Sequence, residues 1–466
     1  MRATKKHKFI VAVLVVMACS AAGVVGQVND GIAAFERGDK SRAKLIFEQT
    51  LKKDPRNVEA HTYLGMIAAD ANELNEAERH FAAAASLAPS EPSTRNNYGA
   101  ILMRLGRMAQ AQAEFEASLK FNANQPSALT NLAQIYFDRG QSDDLRMARS
   151  LLERAGKNNS DAEVSRALLI TCLKLGQALM EKGLHDEAIT ELKTALTLDS
   201  TNADAIVTAR IYAALAEVYE ADGHYENAIP AMRLAVQRDP QNEIYHFRYG
   251  LLLTDSHAPA AGILRLQEAL KQFPTSARLW LALGIAQLTY GQNAEAENSF
   301  KRSLALDAKL VPALAYLGMT YSERGAYEKA ISFYEQAIAL NAQLAALHYL
   351  VAETILKSSD ADTTRAEKYL KRATELDSKL APAYLTWGRF YARTNRYAEA
   401  ATVLERAVSL QPELLEAHYQ LSRVLVKLKR TDEANRELAI FKELSEKQKA
   451  RNESREIVRR LANVRF

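Results

Sequence analysis

The stretch GIAQLTYGQNAEAENSF, running from Gly284 to Phe300, decides the fold. It sets a glycine first, an alanine (Ala296) after eleven intervening residues, and an aromatic ring (Phe300) after three more. The same frame recurs as Gly65, Ala77, Phe81; as Gly99, Ala111, Phe115; as Gly318, Ala330, Tyr334; and, with leucine last, as Gly388, Ala400, Leu404. Tracking the small residue alone gives Ala43, Ala77, Ala111, Ala148, Ala188, Ala228, Gly262, Ala296, Ala330, Ala366, Ala400 and Ala434. The intervals are 34, 34, 37, 40, 40, 34, 34, 34, 36, 34 and 34 residues. A sustained period of this length marks stacked supersecondary units that bury their apolar faces on one another.

Each unit carries two apolar stripes at helical spacing, for example Leu314, Leu317 and Tyr321, then Ala330, Tyr334 and Ala337. A small residue belongs where two antiparallel helices cross closely, because a larger one would overpack the contact. Gly38, Gly106, Gly140, Gly183, Gly223, Gly291 and Gly325 fall between the stripes, where a left-handed C-cap ends the first helix. Pro55, Pro89, Pro240, Pro274 and Pro412 follow the second stripe and stop it. Few glycines (19) and prolines (11) in 466 residues fit a helical chain.

These slots resemble the tetratricopeptide repeat family. The best units are Trp280, Leu283, Gly284, Ala296, Phe300, Ser303 and Tyr384, Trp387, Gly388, Tyr391, Ala400, Ala407, Pro412. The resemblance covers residues 27–448 as twelve units, near 27–57, 58–91, 92–125, 126–162, 163–202, 203–242, 243–276, 277–310, 311–344, 345–380, 381–414 and 415–448. It implies an all-α fold: a right-handed superhelical solenoid of helix-turn-helix units with a concave groove, closed by a C-terminal capping helix or tail at 449–466. Extra residues before Cys172 and Tyr212 predict lengthened first helices in units five and six. Those near Gln141–Leu145 and Ser358–Thr363 are expected in turns. Unit seven, with Asp255-Ser256-His257-Ala258-Pro259 in place of the glycine turn, is the expected weak joint.

Residues 1–26 read as an address. Arg2, Lys5, Lys6 and Lys8 precede an uncharged run from Phe9 to Gly26, the layout of a secretory signal cut before Gln27. Two rivals are a lipoprotein box ending at Cys19, which would be lipidated, and an uncleaved anchor. All three place the remaining chain outside the cytoplasm, periplasmic or secreted, with membrane attachment only in the last two. Without the four early cations the net charge of +4 falls to about neutrality, which gives no electrostatic case for nucleic acid. Two cysteines, Cys19 and Cys172, exclude a disulfide scaffold.

Catalytic and cofactor motifs are missing. There is no phosphate-binding glycine loop, G-x-S-x-G elbow, H-E-x-x-H pair or C-x-x-C in the sequence. His61, His348 and His418 occupy a slot otherwise filled by Leu, Tyr or Trp, and Cys172 fills it in its own unit, so they read as packing residues and not ligands. The expectation is a chain that is not an enzyme and carries no cofactor or metal.

The resemblance places the groove on the first helix of each unit. The slot two before the glycine holds Asn29, Tyr63, Asn97 and Asn131 in the first four units, with Asn96, Thr62, Thr130 and Gln134 on neighbouring slots. An amide both donates and accepts, so a row of them can grip a peptide backbone without reading its sequence; the row looks like the asparagine ladder of O-GlcNAc transferase repeat arrays, much shortened. Near the far end Arg389, Arg393, Arg423 and Lys427 form a basic patch with Tyr349, Tyr384 and Tyr419, suited to an acidic peptide or an anionic glycan. Val28 and Ile32 stand where chaperone-binding members carry a Lys and Asn clamp, so that clamp is missing. The functional expectation is a scaffold binding proteins or peptides in a bacterial envelope assembly or export complex. The alternative is a glycan-binding or polysaccharide-export accessory protein.

Overall fold

The structure, a computed structural model, describes residues 22–157, 161–198, 204–358 and 362–462, with side chains from 26 to 448. The charged start of the chain, Cys19 and the side chains of the terminal tail therefore lie outside the described residues. Every regular element among the described residues is a helix, and the helices come in twelve antiparallel pairs.

The chain divides into two compact units, Met1–Gln241 and Asn242–Phe466. The first holds α1 (Ala22–Glu36), α2 (Lys40–Lys53), α3 (Val58–Asp70), α4 (Leu74–Leu87), α5 (Pro92–Arg104), α6 (Met108–Phe121), α7 (Pro126–Arg139), α8 (Ser142–Gly156), α9 (Ala162–Glu181), α10 (His185–Leu198), α11 (Ala205–Ala221) and α12 (Tyr225–Arg238). The second holds α13 (Glu243–Asp255), α14 (Pro259–Gln272), α15 (Ala277–Tyr290), α16 (Asn293–Leu306), α17 (Val311–Glu323), α18 (Tyr327–Leu340), α19 (Ala345–Lys357), α20 (Thr363–Leu376), α21 (Ala381–Arg393), α22 (Tyr397–Leu410), α23 (Leu415–Lys427) and α24 (Thr431–Ala462).

The glycine–aromatic spacing turns out to be a contact. A Cβ on Gly284 would sit 2.4 Å from the Phe300 ring, and one on Gly99 2.7 Å from Phe115. The glycine of the first helix is thus the socket for the large side chain of the second. The intervening alanines, Ala296 and Ala111 among them, are fully buried at the crossing. Gly262 replaces alanine because the Thr254 hydroxyl would lie 2.6 Å from its Cβ. Seven glycines end first helices with positive φ, and Asn72, His257, Asn395 and Lys429 adopt that conformation in four other pairs, so the seventh pair keeps a left-handed cap without glycine.

The lengthened helices are as expected: α9 spans 20 residues and α11 spans 17. The three extra residues near Gln141–Leu145 are not in the turn. Gly140 still ends α7, α8 begins at Ser142, and the addition lies in its first turn, where Ser142 and Leu145 are buried. The second addition falls partly on 359–361, outside the described residues. Helix α24 runs unbroken for 32 residues, so the terminal stretch continues the second helix of the last pair.

Candidate functional site

Within each unit, first helices touch the first helices of neighbouring pairs: α1 with α3, α5 with α7 and α9 with α11, then α13 with α15, α15 with α17, α19 with α21 and α21 with α23. Among the described residues no comparable contact joins successive second helices. The side on which consecutive elements approach is the inner side of a stack, so the first helices line the inner face.

The same helices are tied to the turns before them by a device that the sequence reading missed. One side chain near the start of the first helix donates to the carbonyl six residues upstream: Arg95 Nε to Pro89 at 2.6 Å, Trp280 Nε1 to Pro274 at 3.0 Å, His348 Nε2 to Ala342 at 3.0 Å and His418 Nε2 to Pro412 at 2.9 Å. His61 Nε2 makes the same bond to Pro55 at 3.2 Å. The three histidines of this slot therefore satisfy carbonyls left open at a helix end. The recurring spacing Pro55–His61, Pro89–Arg95, Pro274–Trp280 and Pro412–His418 was the available signal.

On the first unit the amide row is brought together only in part. Asn29 is exposed on α1. Tyr63 is not a surface contact: at 8% exposure its ring stacks on Phe47 (5.0 Å between centroids) and meets Phe35 edge-on, and burial raises its hydroxyl pKa. Those two rings draw it into the seam between pairs. Asn96, 2% exposed, accepts from Asn131 Nδ2 at 3.2 Å, which joins α5 to α7. Thr62 and Thr130 spend their hydroxyls on carbonyls of their own helices, and Gln134 donates to Asp138 at 2.7 Å. Asn97 differs. It is 5% exposed and its Nδ2 is buried with no hydrogen-bond partner among the described residues.

On the second unit the basic residues do fall on one face. Arg389 and Arg393 on α21 stand 34 residues before Arg423 and Lys427 on α23, the same register in adjacent pairs, and all four are exposed. Arg393 Nη1 caps α19 through the Leu356 carbonyl at 3.1 Å, and the Arg423 guanidinium lies 5.6 Å from the Tyr419 ring centre. The four have no carboxylate partner among the described residues, whereas Lys357 pairs with Glu353 at 3.4 Å. Glu353 also accepts from the Tyr349 hydroxyl at 3.1 Å; burial, with Glu353 adding, pushes that phenol up to about 12.

Elsewhere the titratable groups serve packing. Cys172 is fully buried beside Arg149, Glu191 and Glu153, and burial pushes its thiol up to about 12, far from a reactive thiolate. Arg149 bridges Glu191 and Glu153, which links α8 to α10. Among the described residues no three His, Cys, Asp or Glu side chains are grouped to hold a metal, and no helix is long and apolar enough to cross a membrane.

Family models described as tetratricopeptide repeat match residues 29–92, 92–125, 164–241, 250–311, 311–344 and 391–443, together more than half of the chain. The chain is similar to TPR repeat-containing protein YpiA of Bacillus subtilis, 23% identical over 57% of this chain and 60% of that protein. It is similar to type IV pilus assembly protein PilF of Pseudomonas aeruginosa, 28% identical over 35% of this chain and 63% of that protein. It is also similar to cellulose synthase operon protein C of Pseudomonas fluorescens, 23% identical over 75% of this chain and 28% of that protein. The chain thus spans less than two thirds of the length of each of these relatives. With paired helices throughout both units and these matches along its length, the chain belongs to the tetratricopeptide repeat family.

Proposed function

We propose that the chain is a non-catalytic scaffold that holds protein or peptide segments on the faces built by its first helices, exported and working in a bacterial envelope assembly or export complex. The observation that carries the binding reading is the Asn97 amide. Its donor is buried without an acceptor among the described residues; an unmet buried donor costs about 1–3 kcal/mol, and turning the amide so that Nδ2 meets a backbone carbonyl of a docked segment removes that cost. The basic start and apolar run of residues 1–26 and the similarity to a pilus assembly protein support the envelope setting. A glycan-binding or export accessory role is the second reading, favoured by the match to cellulose synthase operon protein C.

Capture from envelope extracts, run beside binding to a glycan array, separates the two. The scaffold reading expects proteins retained by the parent chain and retained more weakly by Asn97→Ala. Glycan binding that survives in the absence of retained protein contradicts it.

A further inference from the structure

The inner face of the second unit changes chemistry along its length, and the change runs in register. The position after the glycine slot holds Leu251, Ile285 and Met319 on α13, α15 and α17, then Glu353 on α19, then Arg389 and Arg423 on α21 and α23. The first three side chains are half-buried, with part of each in water, and pack on the cores beneath them only through one side. Four positions further on, the residues are Asp255, Thr289 and Glu323, then Lys357, Arg393 and Lys427. One end is therefore apolar with a carboxylate border, and the other is cationic.

We propose that this face docks a peptide segment with an apolar body and an acidic end, seated in one direction, with its apolar part over α13, α15 and α17 and its carboxylates on α21 and α23. The inference rests on the scaffold reading and names the partner's chemistry. Charge complementarity fixes the direction. Glu353 is already engaged by Tyr349 and Lys357, so it does not neutralise the cations beyond it. Among the described residues Arg389, Arg423 and Lys427 have no carboxylate, and Arg393 has only a backbone carbonyl. Exposed cations gain from an arriving carboxylate chiefly in encounter rate and orientation. A polyanion such as nucleic acid or an acidic polysaccharide fits less well. It would lay charge on Asp255, Glu323 and Glu353 and leave the apolar stretch uncovered.

The test uses the full chain and three probes: a synthetic peptide with a Leu/Ile-rich half followed by a Glu-rich half, the same peptide with Lys for Glu, and heparin. At low salt the acidic peptide should bind about tenfold more tightly than its Lys counterpart, and the advantage should shrink at high salt. Arg389→Glu with Lys427→Glu, two residues with no side-chain hydrogen bond among the described residues, should reverse the preference while helical content and melting temperature hold. Selection from a random peptide library on the same chain keeps the two ideas apart. Library binders without acidic enrichment, indifferent to the double reversal, overturn this inference and leave the scaffold reading standing. Failure of every peptide to bind overturns both, and heparin binding more tightly than the acidic peptide overturns it in favour of a polyanion.

Discussion

Asn97 sits at a position where stability and binding should part company. Its amide nitrogen has no partner among the described residues, so Asn97→Ala, which removes the unmet donor without adding bulk, should leave the melting temperature nearly unchanged. The same substitution should weaken segment binding by about 0.5–1.5 kcal/mol, the net value of one hydrogen bond. A melting temperature that falls by several degrees would mean that the amide is satisfied inside the fold. His80 gives a pH dependence. Burial, contact with His61 (Nδ1 to Nδ1, 3.0 Å) and Arg79 lower its pKa, with Glu76 acting the other way. The unfolded chain therefore binds the proton more readily than the folded one. The stability contribution is complete above the unfolded value near 6.5 and is lost as pH falls below it. Denaturant midpoints at neutral and mildly acidic pH should fall further for the parent than for His80→Gln. At this scale the sequence was only partly legible. It marked Asn97 and Asn131 as polar slots, but not that Asn131 is spent on Asn96, nor that Phe35 and Phe47 enclose Tyr63. Those partners lie 16 to 35 residues away, and periodicity says nothing about which side chains close on each other across pairs.

Between paired helices the account turns on sockets. Gly284→Ala puts a methyl group 2.4 Å from a ring that has nowhere to go, since Phe300 is itself fully buried. Ala400→Leu overfills a crossing that is closed to solvent. Each should destabilise its pair by about 1–3 kcal/mol in chemical denaturation, while an exposed control such as Ala398→Ser stays within about 0.5 kcal/mol. These elements were the most legible part of the chain, because one spacing encodes one contact and repeats it. The extension of α8 was misplaced for a physical reason. Ser142, Asp143 and Asp144 look like turn residues, yet a buried Ser142 and acidic side chains in a first turn are also what a helix N-terminus favours.

At the scale of the whole chain, stacked pairs couple to neighbours and not to a common core, so unfolding should take more than one step. Trp280 and Trp387, the chain's two tryptophans, both belong to the second unit. Their fluorescence should therefore lose its native signal at a different denaturant concentration from far-ultraviolet circular dichroism, which reports both units; coincident curves would mean that the units unfold together. Export makes a chemical prediction. Val28, 3% exposed, opens the first core and Lys53 Nζ donates to Gln27 Oε1 at 2.8 Å, so a cut before Gln27 falls inside α1 yet keeps these contacts. Mass spectrometry of the mature protein should find Gln27 first and no lipid; a lipidated Cys19 would reverse that. The central claim, that the first helices carry the binding face, is tested most directly by photo-crosslinking in cells. A photoreactive residue is placed at Asn29 or Arg423 on first helices, and at Glu48 or Lys371 on second helices, all exposed positions. Protein adducts from the first two sites and none from the last two are the predicted result, and adducts confined to the second helices would contradict it.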